Sequence, residues 1–213
     1  VGADILGKEN NDYSGDYVCL SGDGNIVAIA ASGLETGGDG SGYVRIFKNN
    51  SGTWDQIGGD INGVFSSTAF KLDHRPISLS TDGSIIAVGN GRYSSNSQEG
   101  YNYGRVRIYK NLNGTWTQLG NDLEGDQTSN NYFGEAVSLS GDGTIVAIGE
   151  PGGDSNGINC GIVRVYKNIN GSWSQLGSDI KKEVLNEAFG EVLEISSDGT
   201  TLAIGNAHNW TGN

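Results

Sequence analysis

Apolar and polar residues alternate in short runs along the whole chain. Val163 and Val165 alternate with Arg164 and Tyr166, and Val137 and Leu139 alternate with Ser138 and Ser140. A period of two predicts β-strands with one face buried. None of these runs has the i, i+3, i+4 apolar spacing of a helix. Between them lie clusters of Gly, Asp, Asn and Ser, the residues that turn a chain by local hydrogen bonding or by positive φ.

The runs recur as one unit, three and a half times. Leu20-Ser21-Gly22-Asp23-Gly24 returns as Leu79-Ser80-Thr81-Asp82-Gly83, Leu139-Ser140-Gly141-Asp142-Gly143 and Ile195-Ser196-Ser197-Asp198-Gly199, with Asp spacings of 59, 60 and 56. A second block returns three times, as Val44-Arg45-Ile46-Phe47-Lys48, Val106-Arg107-Ile108-Tyr109-Lys110 and Val163-Arg164-Val165-Tyr166-Lys167. Each leads through Gly-Thr-Trp or Gly-Ser-Trp, at Trp54, Trp116 and Trp173, to Gln-(Ile/Leu)-Gly-x-Asp.

Each unit reads as four short antiparallel strands, here called a to d. In the third they fall at about Gly134–Ser140, Thr144–Gly149, Gly161–Lys167 and Ser172–Gly177. A Ser-x-Asp-Gly turn joins a to b. Asn113-Gly114 and Asn170-Gly171 join c to d, and Asn-Gly is the strongest short hairpin signal. Four antiparallel strands per unit predict an all-β fold, a β-propeller of four-stranded blades. Solenoid repeats are shorter and hold fewer strands. The unit bounds are about 6–61, 62–123, 124–180 and an incomplete 181–213, forming a single propeller segment.

The ends follow the same pattern. Val1-Gly2-Ala3-Asp4-Ile5 matches Ile57–Ile61, Leu119–Leu123 and Leu176–Ile180, so the chain is expected to open just after a strand d. It is expected to close after strands a and b of the fourth unit. With no Met and no signal-peptide pattern at Val1, a processed chain or an excised segment is expected. The expected partner is a protein, or further copies of the chain, completing the propeller across open strand edges and uncovered blade faces.

Composition sharpens this picture. The chain has 36 Gly in 213 residues, where average usage of about 7% would give roughly 15; the turns and b–c loops of the repeat hold the excess. Thirteen basic against 25 acidic side chains give a net charge of −12, which argues against nucleic acid as a partner. No apolar run approaches the roughly 18 residues of a spanning helix, so no membrane insertion is expected.

Tyr132-Phe133-Gly134-Glu135-Ala136-Val137-Ser138-Leu139-Ser140-Gly141-Asp142-Gly143, continuing to Ala147–Pro151 and Gly161–Tyr166, resembles the FG-GAP repeat of integrin α-subunit propellers and of large secreted or cell-surface proteins. The resemblance runs across essentially the whole chain. It implies a seven-bladed, extracellular or cell-surface ring used in adhesion or assembly, with no implied enzyme activity. The family often holds calcium in an Asp-x-Asn-x-Asp-Gly-x-x-Asp loop. Here the first, third, fifth and ninth positions are Cys19, Ser21, Asp23 and Val27 in the first unit, and Ser138, Ser140, Asp142 and Val146 in the third. One carboxylate facing an apolar ninth position is a turn rather than a calcium cage. The oxygen-rich b–c loops leave Asp39, Asp154 and Asn156 as the remaining metal candidates, against a solvated-loop reading.

A residue that recurs at one place in every unit serves the fold. Arg45, Arg107 and Arg164 are therefore read as strand-c surface or inter-blade residues, the three Trp as packing against a neighbouring blade, and Asp4, Asp60, Asp122 and Asp179 as turn residues. Off the repeat stand Asp73, His74 and Arg75, read as an irregular strand entry against a general-base or anion site. Arg92, Tyr93, Tyr101 and Tyr103 share one b–c loop and are the ligand-loop candidates, against a self-packed loop. His208 and Trp210 lie in the corresponding loop of the last unit.

No catalytic residue is assigned. Glu99, Glu135 and Glu150 are only the carboxylates a glycosidase would have to recruit. Asn49, Asn113, Asn170 and Asn209 head glycosylation sequons. Cys19 and Cys160 fall on opposite faces of non-adjacent blades, so free thiols, or pairing outside this chain, are expected. The reading is a non-catalytic extracellular propeller module for adhesion or assembly; the alternative is a carbohydrate-binding or glycan-active propeller.

Overall fold

The computed structural model describes residues 2–33, 42–63, 76–94, 101–127, 129–153, 160–182 and 188–206, and every regular element among them is a β-strand. The first unit holds β1 (Ser14–Leu20), β2 (Ile26–Ala31), β3 (Tyr43–Asn50), β4 (Thr53–Gln56) and β5 (Ile61–Asn62). The second holds β6 (Ile77–Leu79), β7 (Ile85–Asn90), β8 (Arg105–Leu112), β9 (Thr115–Gln118) and β10 (Leu123–Glu124). The third holds β11 (Ala136–Leu139), β12 (Ile145–Glu150), β13 (Ile162–Ile169), β14 (Ser172–Gln175) and β15 (Ile180–Lys181), and the fourth β16 (Val192–Ile195) and β17 (Leu202–Gly205). Each complete unit is an antiparallel sheet in the order a, b, c, d. These are the expected blades.

One feature departs from the sequence pattern. Strand d is broken into two short strands laid end to end along strand c: β14 pairs the far end of β13, and β15 pairs its start, Ile162↔Lys181 and Val163↔Ile180. The break falls at the Gly-x-Asp segment. Gly58, Gly120 and Gly177 have φ of 75°, 81° and 78°, which no extended strand can contain. The kink turns the following Asp back onto strand c of its own blade. Arg107 Nε donates to both Asp122 oxygens at 3.1 Å, and Arg164 Nε donates to Asp179 at 3.1 Å. The repeated arginines thus brace the break in strand d within one blade and do not bridge between blades. The first unit differs: Lys8 takes Asp60 at 3.0 Å, and Arg45 donates to the Leu6 carbonyl over the Tyr43 and Phe47 rings.

Local turn chemistry fixes the registers. At the c–d hairpins both central residues have positive φ, 53° and 87° at Asn113-Gly114 and 53° and 88° at Asn170-Gly171, the twist-matched hairpin turn. The preceding Asn111 and Asn168 accept from the Gly114 and Gly171 N–H at 2.8 and 2.9 Å. At the a–b turns the Asp carboxylate is engaged inside its own turn. Asp142 accepts from the Ser140 hydroxyl at 2.7 Å and from the Thr144 N–H and hydroxyl at 2.9 Å, and the other three turns repeat this bracing.

The hydrophobic core lies between units rather than inside them. One cluster joins Ala28, Val44 and Ile46 of the first unit to Ile77, Ile86 and Val88 of the second. The next joins Ile85, Val106 and Ile108 to Val137, Val146 and Ile148, and the third joins Ala147 and Val163 to Leu193 and Ile195. Period-two strands have two faces, and every inner blade buries both. The sheets come very close at the glycines closing strand b: a Cβ on Gly149 would lie 2.0 Å from the Gly190 carbonyl oxygen.

Candidate functional site

The junctions between blades are built from a small set of repeated atoms. The a strands of successive units pack against one another, and together they line a groove of about 560 Å³ with Tyr17, Ser78, Val137, Ser138 and Ile195 among its walls. Along this groove the turn tips are stitched in series. Gly22 N–H donates to the Thr81 carbonyl, Thr81 N–H to Gly141 and Gly141 N–H to Ser197, each at 2.8 Å.

One step further in, a side chain of each unit accepts from the next. Ser78 Oγ takes the Leu139 N–H and Ser138 Oγ takes the Ile195 N–H, both at 3.0 Å. In the first unit Cys19 holds that place against the Leu79 N–H, and burial pushes its thiol up to about 12, far from a reactive thiolate at neutral pH. At the outer end the tryptophans pin each blade to the previous one. Trp116 Nε1 donates to the Ile57 carbonyl and Trp173 Nε1 to Leu119, both at 2.8 Å, packing on Gly58 and Gly120. Inter-blade packing is the role expected for them.

The first unit presents the same face partly covered: Ile29 and Phe47 on it are buried, and Gly2 packs against Trp54 as Gly58 packs against Trp116, while the strand-a residues stay exposed. By repeat position Val18 and Leu20 correspond to Ile77 and Leu79, and to Val137 and Leu139. Val137 and Leu139 are 3% and 6% exposed, whereas Val18 and Leu20 are 63% and 59% exposed. On the far side of the fourth unit, Val192 stands where Ala136 is fully buried and is itself 38% exposed.

The ligand-loop candidates divide. Tyr93 and Tyr103 meet edge to face at 5.5 Å between ring centroids, with the Arg105 guanidinium 3.6 Å over the Tyr93 ring, and Tyr103 is buried. Tyr101 points outward. Arg92 lies near Glu135, whose burial between blades pushes its carboxyl up to about 7 against the opposing pull of Arg92. Glu150, fully buried, pairs with Arg164, and its Oε1 has no hydrogen-bond partner among the described residues. Burial raises Glu150 to about 7 despite that arginine. Glu135, in the bend before β11, and Glu150, at the end of β12, are thus interior groups, a burial that sequence spacing alone does not reveal. The nearest sequence signal is that Glu135 and Glu191, both buried, occupy equivalent repeat positions.

Of the sequon asparagines, Asn113 and Asn170 sit exposed at their hairpin tips, while Asn49 accepts from the Gly52 N–H at 2.7 Å within its own turn. Cys19 and Cys160 are both free thiols. Asp39, Asp73, His74, Arg75, Glu99, Asp154, Asn156, His208, Asn209 and Trp210 lie outside the described residues. Among the described residues no group of three or more His, Cys, Asp or Glu is placed to hold a metal ion.

Comparison with known proteins adds the repeat and the fold. Residues 116–166, from strand d of the second unit into strand c of the third, match the FG-GAP repeat family. No curated protein sequence matches the chain. Among solved structures, the hydrazine synthase of Kuenenia stuttgartiensis superposes with a TM-score of 0.52 at 15% identity, covering 93% of this chain and 43% of that one. A hypothetical selenium-binding protein from Sulfolobus tokodaii gives 0.55 at 12% identity, covering 83% of this chain and 43% of that one. The chain thus spans less than half the length of either structure. At these identities the likeness carries the propeller architecture alone.

Proposed function

We propose that this chain, with its FG-GAP repeat at residues 116–166, is a non-catalytic β-propeller module that acts through protein–protein contact, in adhesion or in assembly of a structure outside the cell or on its surface. The observation that carries the reading is the repeat match together with blades whose recurring polar side chains hold turns and junctions. Among the described residues, the charged groups that recur in the units have structural roles. Arg107 and Arg164 brace the break in strand d, and the four a–b turn carboxylates are engaged in their own turns. The exposed Asn113 and Asn170 at hairpin tips suit glycan attachment in a secreted protein.

Carbohydrate binding is the second reading. The exposed Tyr101, adjoining the packed Tyr93–Tyr103–Arg105 group, favours it. A panel of soluble glycans separates the two, with neither turnover nor saturable binding expected. Turnover lost in Glu150→Gln would overturn the non-catalytic reading. Saturable binding lost in Tyr101→Ala would replace it with a lectin.

A further inference from the structure

We propose that Asn113 and Asn170 are latent sites of spontaneous backbone modification, converting to aspartate and isoaspartate, and that Asn111 and Asn168 hold them closed. Each guard stands two residues before the amide it protects, in the same c–d hairpin.

The turn itself dictates the labile pair. Both central positions need positive φ, and the chain meets that need with Asn then Gly, at 53° and 87° in the second unit and 53° and 88° in the third. The same pair places a side-chain amide beside a main-chain nitrogen whose own residue has no Cβ to hinder approach. Asn113 and Asn170 are both exposed, so water and base reach them. In the reaction Gly114 N bonds to Asn113 Cγ, the Cγ–Nδ2 bond breaks, and ammonia leaves with the proton that Gly114 N gives up. Water then opens the five-membered imide at either carbonyl, leaving aspartate or its β-linked isomer. Gly171 and Asn170 stand in the same relation.

The guard acts on that proton. Gly114 N–H donates to Asn111 Oδ1 at 2.8 Å, and Gly171 N–H donates to Asn168 Oδ1 at 2.9 Å. The nitrogen cannot attack until its proton leaves, and the clasp both holds the proton and fixes the nitrogen in the turn. The Nδ2 atoms of Asn111 and Asn168 are buried and have no hydrogen-bond partner among the described residues, so the oxygen alone makes the clasp. The first unit repeats it without the labile amide. There Asn49 Oδ1 takes the Gly52 N–H at 2.7 Å, and Ser51 holds the left-handed place at φ 54°. The guard position thus belongs to the turn in all three units, and it restrains a reaction only in the second and third.

Conversion would not stay at the hairpin tip. The β-linked isomer adds a carbon to the main chain, and the pairs Leu112↔Thr115 and Asn111↔Trp116 cannot span it unchanged. Trp116 pins its blade to the Ile57 carbonyl of the previous one, so a modified hairpin loosens a junction.

The test uses the chain made in a host that attaches no N-glycan, incubated folded in mildly alkaline buffer. Peptide mapping follows Asn113 and Asn170 separately. Both are expected to convert more slowly than in the same chain unfolded in urea. Asn111→Ala is expected to speed conversion at Asn113 by about two- to tenfold, the effect of losing one hydrogen bond, and to leave Asn170 in the same molecule unchanged. Asn168→Ala is expected to do the reverse. Asn111→Asp, which keeps an oxygen acceptor, is expected to keep Asn113 slow.

Equal rates in the folded and unfolded chain overturn the proposal, as does a rate at Asn113 that Asn111→Ala leaves unchanged. Acceleration of both sites together in Asn111→Ala overturns it as well, because that pattern is general destabilisation. Conversion as fast in Asn111→Asp as in Asn111→Ala removes the oxygen clasp. Melting temperature and the far-ultraviolet β-signature check the fold of each variant. If Asn111→Ala fails that check, Asn168→Ala carries the same test with the two sites exchanged.

Discussion

Leu139 and Leu20 occupy the same place in the same repeat, each the last residue of strand a before a Ser-Gly-Asp-Gly turn. Leu139 is packed between the second and third blades at 6% exposure, and Leu20 is 59% exposed. Local sequence, strand register and turn chemistry are alike at the two positions. Only the neighbour differs. Burial in this fold is therefore a property of the junction and not of the blade, and a repeat position contributes to stability only where a second blade covers it.

The comparison can be broken by substitution. The largest effect is expected from Leu139→Ala, which deletes a side chain from a filled junction and should destabilise by about 2–5 kcal/mol in urea unfolding. A value close to that of an exposed residue would mean that the blades do not support one another.

Next comes pH, through Glu135, held between the second, third and fourth units beside Arg92 and Glu191. Burial raises its folded carboxyl to about 7 from its ordinary value of 4.5. The folded state therefore holds a proton that the unfolded chain has released between those values. Stability should fall as pH rises through that window and level off above it, by up to about 1.4 kcal/mol per pH unit for this group at the steepest. Glu150, raised to about 7 as well, adds a slope of the same sign. Glu135→Gln should flatten the dependence in a pH series of melting temperatures, leaving the contribution of Glu150; an unchanged slope would remove Glu135 from the account. Its repeat counterpart, Asp16 in the first unit, is exposed.

Trp173→Phe, which loses the hydrogen bond to the Leu119 carbonyl at 2.8 Å and part of the ring, should cost about 1 kcal/mol. The smallest effect is expected from Leu20→Ala, within about 0.5 kcal/mol. A loss there comparable to that of Leu139→Ala would show that the first face is covered.

Much of the fold was legible because its determinants are local. The period-two runs give the strands, the Asn-Gly pairs give the hairpins, and the recurrence of Trp beside a Gly-x-Asp segment marks a packing role. What stayed hidden depends on residues brought together from far apart. The break in strand d needed the sign of φ at Gly177 and the reach of Arg164 back to Asp179, 15 residues away in sequence. Cys19 looked like a departure from the pattern, yet it holds the acceptor place that Ser78 and Ser138 hold in later units, facing a backbone group some 60 residues on. The exposure of Val18 and Leu20 beside the buried Ile29 and Phe47, and the unlike ends of the stitched series, are visible only in three dimensions.

The stitched turn tips bear on how such a chain could change over generations. Because each junction uses the same few atoms, a duplicated stretch of 56 to 60 residues brings both sides of a junction with it. A new unit would find its contacts already made, whichever pair of blades it fell between. Local chemistry then places little restriction on copy number, and selection on the number of units would act through the curvature of the whole array.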